Sequence, residues 1–240
     1  MRTRAVILKK QNTNEYDQLV TCYTEEFGKI TAVAKSVLKS SSIQAMHLDV
    51  FNLVDFELIN GRATPIIAGA QAEQTYPSLK SNLQSLAAAY FFAEVIDRIA
   101  FDYQQDKELW GFITSLLEEL NHKGRLCLDK GALCGCGFLQ DLFNKKQMEL
   151  LGILGYAPNL DECVFCSRAV GIDLAAYNAQ AKGVVCKDCF LEGAGGIVVK
   201  NRNFLSGPVL NSIFESLAER KLCSLNFLNF VLESSQYNNF

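Results

Sequence analysis

Two pairs of cysteines constrain this chain more than any other feature. Cys163 and Cys166 form one C-x-x-C pair, Cys186 and Cys189 form a second, and nineteen residues lie between them. Two tight turns can each present two sulfurs to one ion, so the spacing reads as a four-thiolate zinc site. Four thiolates leave no open coordination position for water or substrate, and the expected role of the single zinc ion is structural. Two other readings compete. Paired disulfides belong to an oxidising compartment. A thioredoxin-like redox pair needs a βαβ setting that the flanking sequence does not offer.

The chain has 240 residues and is 49% hydrophobic, enough to bury a sizeable core as one or two domains plus a small module. No stretch reaches eighteen uninterrupted apolar residues, so no membrane span is expected. The opening apolar run, Ala5-Val-Ile-Leu8, is too short for an export signal, which points to a cytoplasmic protein. The nine cysteines are then expected to be thiols or metal ligands. Net charge is −3, but unevenly spread: residues 1–40 balance to +3, residues 41–120 to −7 and residues 121–240 to +1. A basic segment therefore opens an otherwise acidic chain, although ordinary surface charge also accounts for a patch of this size.

The first part reads as β-structure. Ala5–Leu8, Gln18–Thr24 and Lys29–Ala34 are short runs rich in β-branched residues, the last two joined by a Glu25-Glu26-Phe27-Gly28 turn. From His47 to Ile59 the even positions Leu48, Val50, Val54, Phe56 and Leu58 are apolar, while Asp49, Asp55 and Glu57 occupy the odd face, as in a half-buried strand. Asn60-Gly61 predicts a two-residue hairpin turn with a return strand over Arg62–Ala68. About five strands in so short a segment predict a small closed barrel of the OB type. After Pro77 the period changes to helical, with Ser78 as N-cap and a helix to about Ala100. Further helices are expected over Asp106–Leu120, about Lys130–Leu154 with Gly155 as its cap, Ser206–Arg220 and Ser224–Glu233. Gly193, Gly195 and Gly196 read as a hinge. The predicted organisation is α+β and multidomain: a barrel over 1–77, a helical domain over 78–157, an inserted zinc module over 158–192 and C-terminal helices over 193–240.

No catalytic constellation is visible. The two histidines, His47 in the β region and His122 in a loop after a helix, read as structural or surface residues. H-E-x-x-H, G-x-S-x-G and Walker A sequences are absent. A zinc deaminase needs His-x-Glu and a proline directly before the first cysteine. Here Glu162 precedes Cys163 and the histidine motif is His47-Leu-Asp49. Cys22, Cys127 and Cys223 read as core filling, and Cys134-Gly-Cys136 as a weaker metal candidate. Tyr16, Tyr23 and Phe27 sit among the basic residues, where aromatics either stack bases or support the barrel core.

The ordered motifs resemble the bacterial RecO family of recombination mediators. Ala5-Val-Ile-Leu-Lys9 with Asn14-Glu-Tyr-Asp17 is similar to its opening, and Thr24–Lys35 is the most specific N-terminal piece. Glu149–Leu160 leads straight into Cys163-x-x-Cys166, as in zinc-bearing members, and Gly183-Val-Val-Cys186-x-x-Cys189 completes the site. The resemblance spans residues 1 to about 195. Two departures stand out. Ser36 follows Lys35 where the family usually has glycine and then several arginines, and Ser167 stands where glycine is usual after the second cysteine.

The resemblance implies a non-enzymatic DNA repair protein that binds single- and double-stranded DNA and anneals complementary strands. It implies work with RecR to load RecA, engagement of the C-terminal tail of single-stranded DNA-binding protein, and nucleoid association during repair; RecF is a further candidate partner. The residues expected to track the DNA backbone are Arg2, Arg4, Lys9, Lys10, Lys29, Lys35 and Lys39. The competing readings are a zinc-ribbon adaptor that binds only proteins and a cysteine-dependent redox enzyme.

Overall fold

The computed structural model describes residues 1–130, 137–170, 174–198 and 207–237. They form two compact units, one from Met1–Cys136 with Cys223–Phe240 and one from Gly137–Leu222.

The first unit begins with strands β1 (Arg2–Asn12), β2 (Gln18–Thr24) and β3 (Gly28–Ala34), then a short helix α1 (Gln44–His47), then β4 (Leu53–Ile59) and β5 (Ile66–Gln74). The strands close in the order β1-β2-β3-β5-β4, with β4 back on β1, which is the five-stranded barrel expected of an OB-type domain. All pairs are antiparallel except β3 with β5, where Val33 faces Ile66 and Ala34 faces Ile67. Strict alternation drives this closure. Ile30, Ala32 and Ala34 turn inward along β3, and Val54, Phe56 and Leu58 turn inward along β4. Small inward residues, Ala5, Ala32 and Ala34, leave room for Phe56 and the branched side chains in one buried cluster.

Helices α2 (Pro77–Ser81), α3 (Leu83–Ile99), α4 (Lys107–Lys130) and α8 (Cys223–Tyr237) complete this unit. Their apolar faces meet through Phe91, Phe92 and Phe112, with edge-on ring contacts at 5.2 and 5.7 Å. The barrel is tied to them at several points. Lys29 Nζ donates to the Asp97 carbonyl at 2.6 Å and lies 3.2 Å from Asp102 Oδ1, while Tyr103 N donates to the Lys29 carbonyl. Lys80 Nζ donates to Asp49 Oδ2 and Asn52 Oδ1. The Phe51 ring packs edge-on against Tyr90 at 4.9 Å.

The second unit contains α5 (Gly137–Ile153), a three-stranded sheet of β6 (Leu174–Asn178), β7 (Gly183–Cys186) and β8 (Ile197–Val198), the single turn α6 (Lys187–Cys189) and α7 (Gly207–Leu217). Gly155 caps α5 as expected: it takes φ +74°, its N–H donates to Gly152 O, and Tyr156 N–H donates to Leu151 O. α5 packs on α7, and Gln147 Nε2 donates to Asn211 Oδ1 at 2.9 Å across that seam.

Several local expectations are corrected. Residues 47–52 are not strand: α1 ends at His47, and Asn52 Nδ2 donates to the Met46 and His47 carbonyls, pulling the chain into a turn before β4. Asn60-Gly61 is not a two-residue hairpin. Ile59 pairs with Ile66, so the connection spans 60–65, and Gly61 has no positive φ. Pro77, not Ser78, opens the helix at its first position, with Tyr76 before it at φ +47°. The helix then breaks at Asn82, whose side chain accepts from Ser85 N and starts α3. His122 lies within α4, and residues 131–136 of the helix expected from about Lys130, with Cys134 and Cys136, fall outside the described residues. The glycines at 193, 195 and 196 all have positive φ and form the turn into β8.

Gly28 is the position where β3 admits no side chain. Its φ is +67°, and an added Cβ would sit 1.9 Å from the Gln104 carbonyl oxygen. Gly28→Ala is expected to destabilise the first unit by at least about 2 kcal/mol, read from urea unfolding, because it combines left-handed strain with a clash against backbone.

Candidate metal centre and basic platform

The zinc-type sequence folds as two turns that face each other. In the first, Cys163 N donates to Arg168 O and Ser167 N donates to Cys163 O at 2.8 Å, so residues 163–168 close on themselves. Ser167 completes that turn at φ +56°. Val164 N donates to Val184 O, which sets this turn beside β7. In the second, Cys186 ends β7 in an extended conformation and Cys189 follows one helical turn later.

All four sulfurs lie within 4.8 Å of one another. The Cys166 and Cys186 sulfurs are 3.7 Å apart. A tetrahedron with zinc–sulfur bonds of 2.3 Å has edges of about 3.8 Å, so the spacing fits a shared ion. A disulfide needs a sulfur–sulfur distance of about 2.0 Å, and all four cysteines are free thiols. Cys163, Cys186 and Cys189 are buried and Cys166 is half-buried. Burial pushes the Cys163 thiol up, but the backbone N–H groups of Cys186, Cys166 and Phe165 outweigh it and hold that thiol at about 6. Cys189 is pushed up to about 12, first by its hydrogen bond with Cys186 and then by burial. One sulfur is thus poised as thiolate, and a bound divalent ion would displace protons from the others. Arg168 adds a cation beside this set: its guanidinium is influenced first by the Cys166 sulfur and lies 3.3 Å from Asp188 Oδ2. Only the neighbouring Cys-x-x-Cys spacing hinted at Arg168, since its role comes from the turn that reverses the chain at Ser167.

Five of the seven expected DNA-contacting cations are already paired with carboxylates. Arg2 pairs with Asp55, Arg4 with Glu25 and Glu73, Lys9 with Asp97, Lys10 with Asp49, and Lys29 with Asp102. Among the described residues, Lys35 and Lys39 form no ion pair, and both are exposed. They follow β3 on a segment fastened to the β1–β2 loop. Asp17 Oδ1 accepts from Ser36 N at 2.6 Å, Asn14 Oδ1 accepts from Tyr16 N and Asp17 N, and Leu38 N donates to Tyr16 O. Asp17 is held below the usual carboxylate range, first by the Ser36 N–H and then by Asn14. The Asn14–Asp17 spacing is an Asx-turn signal, legible in the sequence but absent from its strand periodicity. Lys39 Nζ stands 5.2 Å from the centre of the Tyr16 ring. Of the three aromatics in the basic segment, Tyr23 is buried, Phe27 packs against the barrel core and Tyr16 is 51% exposed.

Residues 1–76 match the family model described as Recombination protein O N terminal, and residues 144–222 match Recombination protein O C terminal. A protein of Desulfitobacterium hafniense named DNA repair protein RecO is 28% identical over 243 aligned positions, covering 97% of this chain and 81% of its own length. Two proteins of the same name from Dehalococcoides mccartyi are 27% and 28% identical, covering 92% and 78% of this chain and 82% and 69% of their own. No helix among the described residues is long and apolar enough to cross a membrane.

Cys163→Ser combined with Cys166→Ser is expected to lose the metal and to lower the unfolding temperature, since half of the donors vanish. Elemental analysis of the purified variant decides: one zinc per chain retained overturns the four-thiolate assignment.

Proposed function

Because this chain belongs to the RecO family of DNA repair proteins, we propose that it is a non-enzymatic recombination mediator whose barrel binds single- and double-stranded DNA and anneals complementary strands. The observation that supports the DNA-binding part is the exposed pair Lys35 and Lys39, which form no ion pair among the described residues, although the Asp17 carboxylate lies near enough to feel both. They meet the phosphate backbone first. Arg2, Arg4, Lys9, Lys10 and Lys29 contribute only as phosphates compete with the acidic residues that already hold them. The four cysteines hold one structural zinc ion that fixes the second unit.

RecR is the proposed partner in loading RecA onto strands coated by single-stranded DNA-binding protein, with RecF as a further candidate. For the tail of that coating protein, a cavity of about 500 Å³ in the first unit offers apolar walls from Leu8, Val50, Tyr90 and Phe227 beside Lys9, Lys10 and Arg98. The second reading is a zinc-bearing adaptor that binds only proteins. The neutralisation of the β1 cations by Asp55, Glu73, Asp97 and Asp49 favours it.

Two measurements separate these readings. Annealing of complementary oligonucleotides coated with the cognate single-stranded DNA-binding protein is expected to accelerate at low salt and to slow as salt rises. No acceleration at any salt favours the adaptor. Lys35→Gln with Lys39→Gln is expected to weaken single-strand binding and reduce the slope of log affinity against log salt by roughly 1.4; an unchanged slope removes these lysines from the interface.

A further inference from the structure

We infer that Tyr16 is a base-stacking platform that gives the barrel a preference for single-stranded over duplex DNA, an assignment that rests on the DNA-binding reading above. The ring has three properties such a platform needs. It is open to solvent, being 51% exposed, whereas Tyr23, further along the basic segment, is 1% exposed and serves the core. It is held in place: Asn14 Oδ1 accepts from the Tyr16 N–H at 2.9 Å, Leu38 N donates to the Tyr16 carbonyl, and Asp17 pins Ser36 across the same junction. And it carries a cation on its face, Lys39 Nζ at 5.2 Å from the ring centre.

That cation is the informative part. A lysine ammonium over an aromatic face marks a surface that attracts positive charge and apolar planes alike. A nucleobase can take the same face, because every base has a π-surface, while the flexible four-carbon stem lets Lys39 swing to the adjoining phosphate. Lys35, also exposed and without an ion-pair partner among the described residues, offers a second phosphate contact on the same segment. An exposed ring with Lys39 on its face, and Lys35 on the same segment, fits a strand whose bases are unpaired; the nearby Asp17 carboxylate offsets part of their charge without forming an ion pair with either. In a duplex the bases are stacked on each other and the ring has no face to meet, so duplex contacts reduce to the lysines. The class of ligand is thus single-stranded nucleic acid, bound without sequence preference.

The test uses the whole 240-residue chain loaded with zinc and three fluorescently labelled probes at one salt concentration: a mixed-sequence single strand, the same strand with a run of abasic sites, and the matching duplex. The wild-type chain is expected to bind the intact strand roughly 5- to 100-fold more tightly than the abasic strand. Tyr16→Ala is expected to erase most of that difference while leaving duplex and abasic affinities within about twofold, and Tyr16→Phe to restore it. Because the side chain is exposed, these variants should keep the wild-type unfolding midpoint, which is measured alongside. If wild type binds DNA but Tyr16→Ala keeps the intact-over-abasic ratio, the stacking assignment is overturned and the DNA-binding reading stands. If wild type binds none of the probes, both fall.

Discussion

Closure of the barrel is the constraint on which the first unit depends. A five-stranded sheet closed on itself has an interior only wide enough for side chains, so each inward position must match its opposite in size. Ala5, Ala32 and Ala34 satisfy that requirement against Phe56, Leu58 and Ile67. Closure in turn removes every free edge except where β3 meets only two residues of β5. The short β3–β5 contact leaves the remainder of β3 open at its beginning, and there the α3–α4 connection arrives. Lys29 then satisfies both a backbone carbonyl and Asp102 with a side chain only 13% exposed. A basic residue that looked like part of a DNA surface is thereby also a fastening between the barrel and its helices.

What was legible in the sequence was periodic. Gln18–Thr24 and Lys29–Ala34 fall where β2 and β3 lie, because period-two alternation is enforced by a one-sided core. The cysteine spacing likewise announced a geometry, since two turns with two donors each have few ways to converge. What failed was local and depended on partners far away. The alternation through Leu48 and Val50 resembles a strand, yet Asn52 hydrogen bonds to two carbonyls behind it and the chain bends. Asn60-Gly61 is a hairpin signal that lost to the register of β4 with β5. The sheet β6–β8 around the cysteines was not visible at all, because its strands are short and one of them has two residues.

The two departures from the family pattern share a physical explanation. Ser36 and Ser167, where the resemblance leads one to expect glycine, both take positive φ, +55° and +56°. Serine pays a modest conformational penalty there, so surrounding contacts must hold it. At Ser36 the N–H is gripped by Asp17, and at Ser167 the N–H is returned to the Cys163 carbonyl. These contacts hold a backbone path that glycine would adopt more easily.

The capping of α8 carries one more consequence. Glu94 on α3 accepts from the N–H groups of Cys223 and Ser224 and from the Ser224 hydroxyl, so α8 begins on a carboxylate about 130 residues earlier in the chain. The whole second unit is threaded between donor and acceptor. On the ribosome the barrel and α3 emerge first and must wait, with the α8 face of α3 uncovered, until Gly137–Leu222 has been made. A helix made after the second unit therefore completes the first, so the order of synthesis and the order of assembly differ.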